Sequence, residues 1–329
     1  MRILVTGAEG FIGSHLVETL ITSGHEVTSF IQYNSFGDIG NLKFIDKYKL
    51  KNCHLEFGDI RDDDKVLRVS KKKEIVIHLA SLISIPHSYT SFKSFIDTNI
   101  TGTLNVLRCI KKNSNLKLIH TSTSEVYGSA FKIPMDESHR IFPQSPYAAS
   151  KASADLIVNS FFSSYNLPII TLRPFNNFGP RQSPRAVIPS IINQLLSKKK
   201  FLSLGNINTS RDFTYVLDTV NAFEKSLKCS KFGEVINIGS NYSIKISDII
   251  NFCSKNLKIK KIIKKNKQKL RPKKSEVKKL YSSNLKAKNL LKWKPYFHGV
   301  NGFQKALNIT TEWYKKNPDF YKNYSKKIF

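Results

Sequence analysis

Three short stretches of this chain carry residue types at spacings that can do chemistry. The stretch TSTSEVYG, residues 121–128, sets four hydroxyl side chains at what reads as the end of a buried strand and follows them with a carboxylate, Glu125. The stretch SPYAASK, residues 145–151, puts Tyr147 and Lys151 four residues apart. Ser145 and Pro146 read as the cap and first residue of a helix, so Tyr147 and Lys151 share one of its faces. A Lys ammonium near a phenol favours the phenolate and lowers its pKa from about 10, which makes Tyr147 a proton acceptor able to oxidise an alcohol at neutral pH. The stretch TGAEGFIG spaces Gly7, Gly10 and Gly13 as GxxGxxG between a strand and a helix. Gly7 permits the tight turn, Gly10 lets the backbone approach a pyrophosphate, and Gly13 allows helix and strand to pack closely. The helix then offers free N–H groups and a positive dipole end to phosphates.

The elements that must hold these groups are legible as an alternation. RILVTG is apolar and β-branched, as a strand buried on both faces should be, and HEVTSFI, CHLEFGDI, EIVIHLAS, KLIHTSTS and LPIITLRPF read as further strands. Between them lie helical patterns, among them FIGSHLVETLITSG with its terminal Gly stop and FIDTNITGTLNVLRCIKKN. The β-α-β order predicts a parallel, doubly wound α/β sheet with right-handed crossovers. Beyond about residue 174 the pattern loosens. AVIPSIINQLLSKK and GVNGFQKALNITTEWYKK read as helices and EVINIGS as a strand that returns to the main sheet. The expected organisation is a dinucleotide-binding domain over 1–173 and a smaller, interleaved C-terminal α/β substrate domain over 174–329. Parts of 209–240 rejoin the first domain.

A chain of 329 residues is long enough for two domains. No apolar run approaches the roughly 20 residues of a membrane span, and MRILVTG goes straight into a strand without a signal-peptide pattern, so a cytoplasmic protein is expected. Cys53, Cys109, Cys229 and Cys253 form no CxxC pair and sit among apolar neighbours, as buried thiols do. The net charge of +29 raises the question of nucleic acid. Only ten of the 53 basic residues are Arg, and the Lys clusters are scattered without interleaved aromatics, so nucleic-acid binding is not expected. His78, His87 and His120 show no metal spacing, and no metal is expected.

Together these stretches resemble the extended short-chain dehydrogenase/reductases of the sugar-nucleotide epimerase/dehydratase family. TGAEGFIGSHL, HLAS, NITGT, STSEVYG, SPYAASK, LRPFNNFGPRQ, RDFTYVLD and VINIGS stand where that family has its markers, over nearly the whole chain. The resemblance implies a Rossmann fold and a catalytic set of Thr123, Ser124, Glu125, Tyr147 and Lys151. Thr123 would hold the sugar hydroxyl beside Tyr147, and Glu125 would act as the base of a 4,6-dehydratase. The Ser124–Glu125 pair is most like the GDP-mannose type and unlike the Asp–Glu of the dTDP-glucose type. IQYNSFG, SIPHSY and RPKKSEV are most similar to the 4,6-dehydratases of legionaminic acid biosynthesis, a subgroup that acts on a nucleotide-activated N-acetylglucosamine. A UDP-glucuronate decarboxylase and a 4-epimerase are the rival activities within the family.

The family further implies cofactor contacts at Gly7, Gly10, Phe11, Ile12, Gly13, Ile60, Leu79, Ala80, Ser81, Tyr147, Lys151 and Pro174. Asp59 is placed to accept from an adenine amino group. The second strand ends without the usual ribose-binding acid and without an Arg for a 2′-phosphate. Asn34 and Ser35 could bond either form, so NAD is favoured and NADP is left open. Substrate contacts are implied at Ser84, Thr123, Asn176, Arg181, Val187, Arg211 and Arg271. Three of the ten Arg residues lie between 173 and 185, and Arg suits phosphate forks. A homodimer is expected through a four-helix bundle of the helices following NITGT and SPYAASK.

Overall fold

The computed structural model describes residues 1–267, 270, 272, 275–277 and 279–320. In chain order the first part runs β1 (Arg2–Thr6), α1 (Phe11–Thr22), β2 (Glu26–Gln32), α2 (Lys47–Leu50), β3 (Cys53–Gly58), α3 (Asp63–Ser70), β4 (Ile75–His78), α4 (Ile85–Ser88), α5 (Phe92–Phe95), α6 (Gly102–Lys112), β5 (Lys117–Thr121), α7 (Pro146–Tyr165) and β6 (Ile169–Pro174). The second part runs β7 (Asn176–Phe178), α8 (Val187–Leu196), β8 (Phe201–Leu204), β9 (Ser210–Tyr215), α9 (Val216–Ser226), β10 (Val235–Ile238), β11 (Ser243–Lys245), α10 (Ile246–Leu257), β12 (Ile262–Lys265), α11 (Leu285–Leu291) and α12 (Gly299–Lys316).

Seven of these strands form one sheet in the order β10-β6-β5-β4-β1-β2-β3, and every pairing is parallel. The chain leaves β1 in one direction through β2 and β3 and returns on its other side with β4. That reversal opens a crevice beyond the carboxyl ends of β1 and β4, where doubly wound folds bind ligands. The apolar strands are buried on both faces: Ile3, Leu4, Val5, Val76, Ile77, Leu118, Ile119 and Ile170 are all in the core.

The second part is divided. β10 joins the main sheet beside β6, and α9 packs on α1. β7, β9 and β11 form a separate three-stranded sheet, and β8 pairs with β12. α8, α10 and α12 pack on one another to close this smaller unit. The NITGT stretch departs from a simple helix: Ile96–Thr101 is a π-type turn between α5 and α6. All four cysteines are free and buried. Among the described residues, no helix is long and apolar enough to cross a membrane.

Candidate active site

The glycine turn is built by exclusion of side chains. Gly7 follows β1 with φ +67°, and a Cβ there would lie 2.8 Å from the Ala80 nitrogen. A Cβ on Gly13 would lie 2.2 Å from the Gly7 carbonyl oxygen. The Gly10 nitrogen donates to that same oxygen at 3.1 Å. Phe11 and Ile12 then open α1, whose first turn has no capping side chain and no acid. Its amide end is therefore available to an anion. Across the crevice, the Leu79 nitrogen donates to the Thr6 carbonyl at 3.1 Å and the Ala80 nitrogen to Thr6 Oγ1 at 3.2 Å. Ser81 Oγ donates to the Leu79 carbonyl. These contacts hold the β4 end against the turn and fit the turn to a dinucleotide pyrophosphate.

Along the rest of this crevice, Ile60 is buried under the start of α6, where a Cβ on Gly102 would come within 2.9 Å of it. Pro174 closes β6 in register with Ile238. Asp59 follows β3, and both its oxygens accept from Arg61, with Nη2 at 2.5 Å. Those bonds hold the Asp59 carboxyl below its ordinary range. Asn34 departs from expectation. Its Nδ2 donates to the Gln32 and Asp38 carbonyls and its Oδ1 accepts the Asp38 nitrogen at 2.8 Å. The amide closes its own loop, as Asn side chains do in turns. Ser35 is exposed on that loop.

The reacting corner lies at the ends of β5 and α7. Ser145 caps α7, accepting the Ala148 nitrogen at 3.1 Å, with Pro146 as its first residue. Tyr147 is thereby carried inward and is buried against Phe95, ring centroids 6.3 Å apart. Thr123 caps the 3₁₀ turn Ser124–Tyr127, accepting the Glu125 nitrogen at 3.3 Å. That turn draws Ser124 and Glu125 out of water; Glu125 is only 8% exposed. The Thr123 hydroxyl lies where it favours the charged form of the Tyr147 phenol, and the Glu125 charge opposes that form.

The electrostatics differ from the sequence expectation. Burial pushes the Tyr147 phenol up, the Thr123 bond only partly offsets this, and the Glu125 and Asp155 charges add to it. Lys151 Nζ turns to the Thr121 carbonyl at 2.7 Å, at the end of β5. Burial lowers its pKa to about 8, with Asp155 working against that shift. Desolvation is thus the largest influence on the phenol.

Sequence reasoning missed two supports of this corner. Asp155, one turn beyond Lys151, accepts from Ser122 Oγ at 2.5 Å and from Arg173 Nη2 at 2.7 Å, and its Oδ1 lies 3.1 Å from His120 Nε2. Burial would raise its carboxyl, but the His120 bond and the Arg173 charge hold it well below the usual range. Its i+4 spacing from Lys151 was the available signal. Asn99, inside the π turn, accepts the Leu82 nitrogen at 2.8 Å and donates to the Leu82 carbonyl and to Ser150 Oγ at 2.9 Å. It ties the loop after β4 to α7.

The expected substrate residues are distributed unevenly. Ser84 precedes α4, half-buried, with no side-chain cap bond. Asn176 opens β7, and its Oδ1 is buried with no partner among the described residues. Val187 starts α8 and is half-buried. Arg211 lies on β9 with its guanidinium near Glu276, 3.4 Å away. Arg271 lies outside the described residues. Arg181, expected at the substrate, donates through Nη2 to Glu18 of α1 at 2.6 Å and to the Phe44 carbonyl at 3.3 Å, and its Nε and Nη1 are buried with no partner among the described residues. Arg173 is likewise buried, paired with Asp155. Two of the three clustered Arg residues thus serve internal ion pairs, since a buried guanidinium must be paired. No group of His, Cys, Asp or Glu among the described residues is arranged to hold a metal.

A seven-stranded Rossmann sheet with this glycine turn and a Thr-Tyr-Lys corner defines an extended short-chain dehydrogenase/reductase of the sugar-nucleotide dehydratase class. Residues 4–305 match the GDP-mannose 4,6-dehydratase family, and the chain belongs to it. A dTDP-D-glucose 4,6-dehydratase of Dictyostelium discoideum is 34% identical over 75% of this chain; the chain spans 60% of that relative's length. The NAD complex of a Bacillus anthracis dTDP-glucose 4,6-dehydratase superposes with a TM-score of 0.86 at 31% identity, over 98% of this chain and 99% of that one. A Bacillus cereus UDP-glucuronic acid 4-epimerase with UDP-glucuronic acid and NAD gives 0.85 at 30% identity, over 96% and 99%.

Proposed function

We propose that this protein is an NAD-dependent 4,6-dehydratase of a nucleotide-activated hexose, UDP- or GDP-N-acetylglucosamine, and yields the 4-keto-6-deoxy sugar nucleotide. The observation that carries the reading is Glu125, buried beside the Thr123–Tyr147 pair. Its burial sets the carboxylate at the reacting corner and out of bulk water. Oxidation at C4 alone needs only Tyr147 and a hydride acceptor; water loss across C5–C6 needs a base as well.

Thr123 holds the C4 hydroxyl, and Tyr147 takes its proton; the phenol, raised by burial, has to be drawn to the phenolate by the Lys151 ammonium and by the positive charge that oxidised NAD would bring. NAD, when bound on the glycine turn, supplies the hydride acceptor for C4 and the hydride donor for C6. Once C4 is a ketone, the C5 hydrogen is acidic and Glu125 removes it. The C6 hydroxyl departs as water, protonated by Glu125 or by Ser124. C5 then regains a proton as C6 is reduced. The general base must reach its proton, and the 3₁₀ turn that starts at Ser124 sets that reach. Asn176, with its unpartnered buried oxygen, and Arg211 on β9 are the residues we assign to the substrate.

The test is Glu125→Gln with UDP-GlcNAc, GDP-GlcNAc and GDP-mannose, followed by product mass and by absorbance of reduced cofactor. The variant should form no 6-deoxy product while still transferring hydride from C4. Unchanged turnover would sink the assignment of Glu125. A product of unchanged mass from the wild-type protein would make it a 4-epimerase, and carbon dioxide loss from UDP-glucuronate a decarboxylase.

A further inference from the structure

Strand β2 runs out as Gln32-Tyr33-Asn34-Ser35, with no carboxylate for an adenosine ribose. Asn34 is held in its own loop. Yet a carboxylate does reach this strand end, and it comes from the glycine turn. Glu9 lies between Gly7 and Gly10, and its Oε1 accepts the Gln32 nitrogen at 3.1 Å. Its position is fixed from a second side. The Asn41 nitrogen donates to the Glu9 carbonyl at 2.9 Å, and a Cβ on Gly40 would come within 2.9 Å of the Glu9 Cβ. The other carboxylate oxygen, Oε2, is buried and has no partner among the described residues. A buried acceptor without a donor calls for an explanation, and an absent ligand is one. Burial raises the Glu9 pKa despite the backbone bonds, as expected of an anion short of donors.

We propose that Glu9 is the ribose-reading acid of this dinucleotide site, carried on the glycine turn instead of on β2, and that it selects NAD over NADP. A ribose diol brings O–H donors to a carboxylate that has lone pairs unfilled. A 2′-phosphate would bring negative charge against it. The segment 32–40 contains no Lys or Arg to offset that repulsion, and its one charged residue is another acid, Asp38. The inference rests on the NAD-binding part of the proposed function and is independent of which sugar is dehydrated.

The experiment is calorimetric titration of wild type, Glu9→Gln and Glu9→Ala with NAD and with NADP. Glu9→Gln keeps an acceptor for the Gln32 nitrogen, so it preserves the turn while removing the charge. Wild type should prefer NAD by at least about tenfold. Glu9→Gln should weaken NAD roughly tenfold, the scale of one hydrogen bond to a charged group. It should leave NADP unchanged or tighter, so that the preference collapses. Glu9→Ala should lose NAD affinity further. Full retention of NAD affinity in Glu9→Gln, or an equal loss for both dinucleotides, would overturn the proposal and leave Glu9 as a brace for β2. Failure of the wild type to bind either dinucleotide would overturn the cofactor reading itself.

Discussion

Tyr147 and Lys151 are recognisable from spacing alone, but their charges are governed by what surrounds them. The phenol is raised by burial and Lys151 is lowered to about 8 by burial. The sign for Lys151 follows: the ammonium persists below about pH 8 and is lost above it. With it goes the positive charge at the Thr121–Asp155 corner. We expect kcat/KM, which reports the free enzyme, to fall as pH rises past about 8. A profile flat to pH 10 would show that the Lys151 charge is not used. What sequence leaves out at this scale is the set of internal partners. Asn34, Arg173 and Arg181 have side chains suited to ligands, but each finds an internal partner first. Glu9 escaped notice for the reverse reason, because a lone acid inside a glycine motif carries no pattern until the fold brings it to Gln32.

The inner strands of the main sheet were legible because burial on both faces leaves a continuous apolar run, whereas the edge strand β3 is largely exposed. The glycine turn was legible because three positions exclude any side chain. Shorter features were not: the π turn over Ile96–Thr101 and the four-residue α2, α4 and α5 have no periodicity long enough to read. Sequence reads β10 as returning to the main sheet, but it gives no sign that β9, 19 residues earlier, lies in the small one. The junction of β1 and α1 is the element on which cofactor binding depends most directly. Gly13→Ala would place a methyl 2.2 Å from the Gly7 carbonyl, against backbone on both sides. Neither side has a rotamer with which to yield. The substitution should destabilise the protein by about 1–3 kcal/mol, as overpacking does, and displace the turn from the pyrophosphate. Thermal unfolding should show a lowered midpoint, and NAD titration a weakened affinity. A variant with wild-type values for both would mean that the turn is looser than its geometry implies.

At the scale of the molecule, one surface is left apolar without an internal reason. Phe92, Ile96, Ile100 and Leu104 recur every four residues along α5, the π turn and α6. Ile96 is 50% exposed, and Leu156 on the neighbouring α7 is 60% exposed. Inward residues of the same helices, Phe95, Asn99 and Val106, are buried, so the stripe is a second face and not a frayed core. Single exposed apolar residues are ordinary, but a stripe across packed helices marks an association site. Two such helices per subunit, met by the same two from a second copy, would make the four-helix bundle expected from sequence, with an isologous two-fold contact. The same helices carry Tyr147 and Lys151 on their inner side, so association would also brace the reacting corner. Ile96→Glu combined with Leu156→Glu should convert a dimer to a monomer in light scattering coupled to gel filtration. Each copy would then face its own charges across the two-fold axis. The monomer should keep its circular dichroism spectrum, because neither side chain contributes to the core, but it should lose activity as α7 loosens. A double variant that stays dimeric would place the interface elsewhere on the molecule.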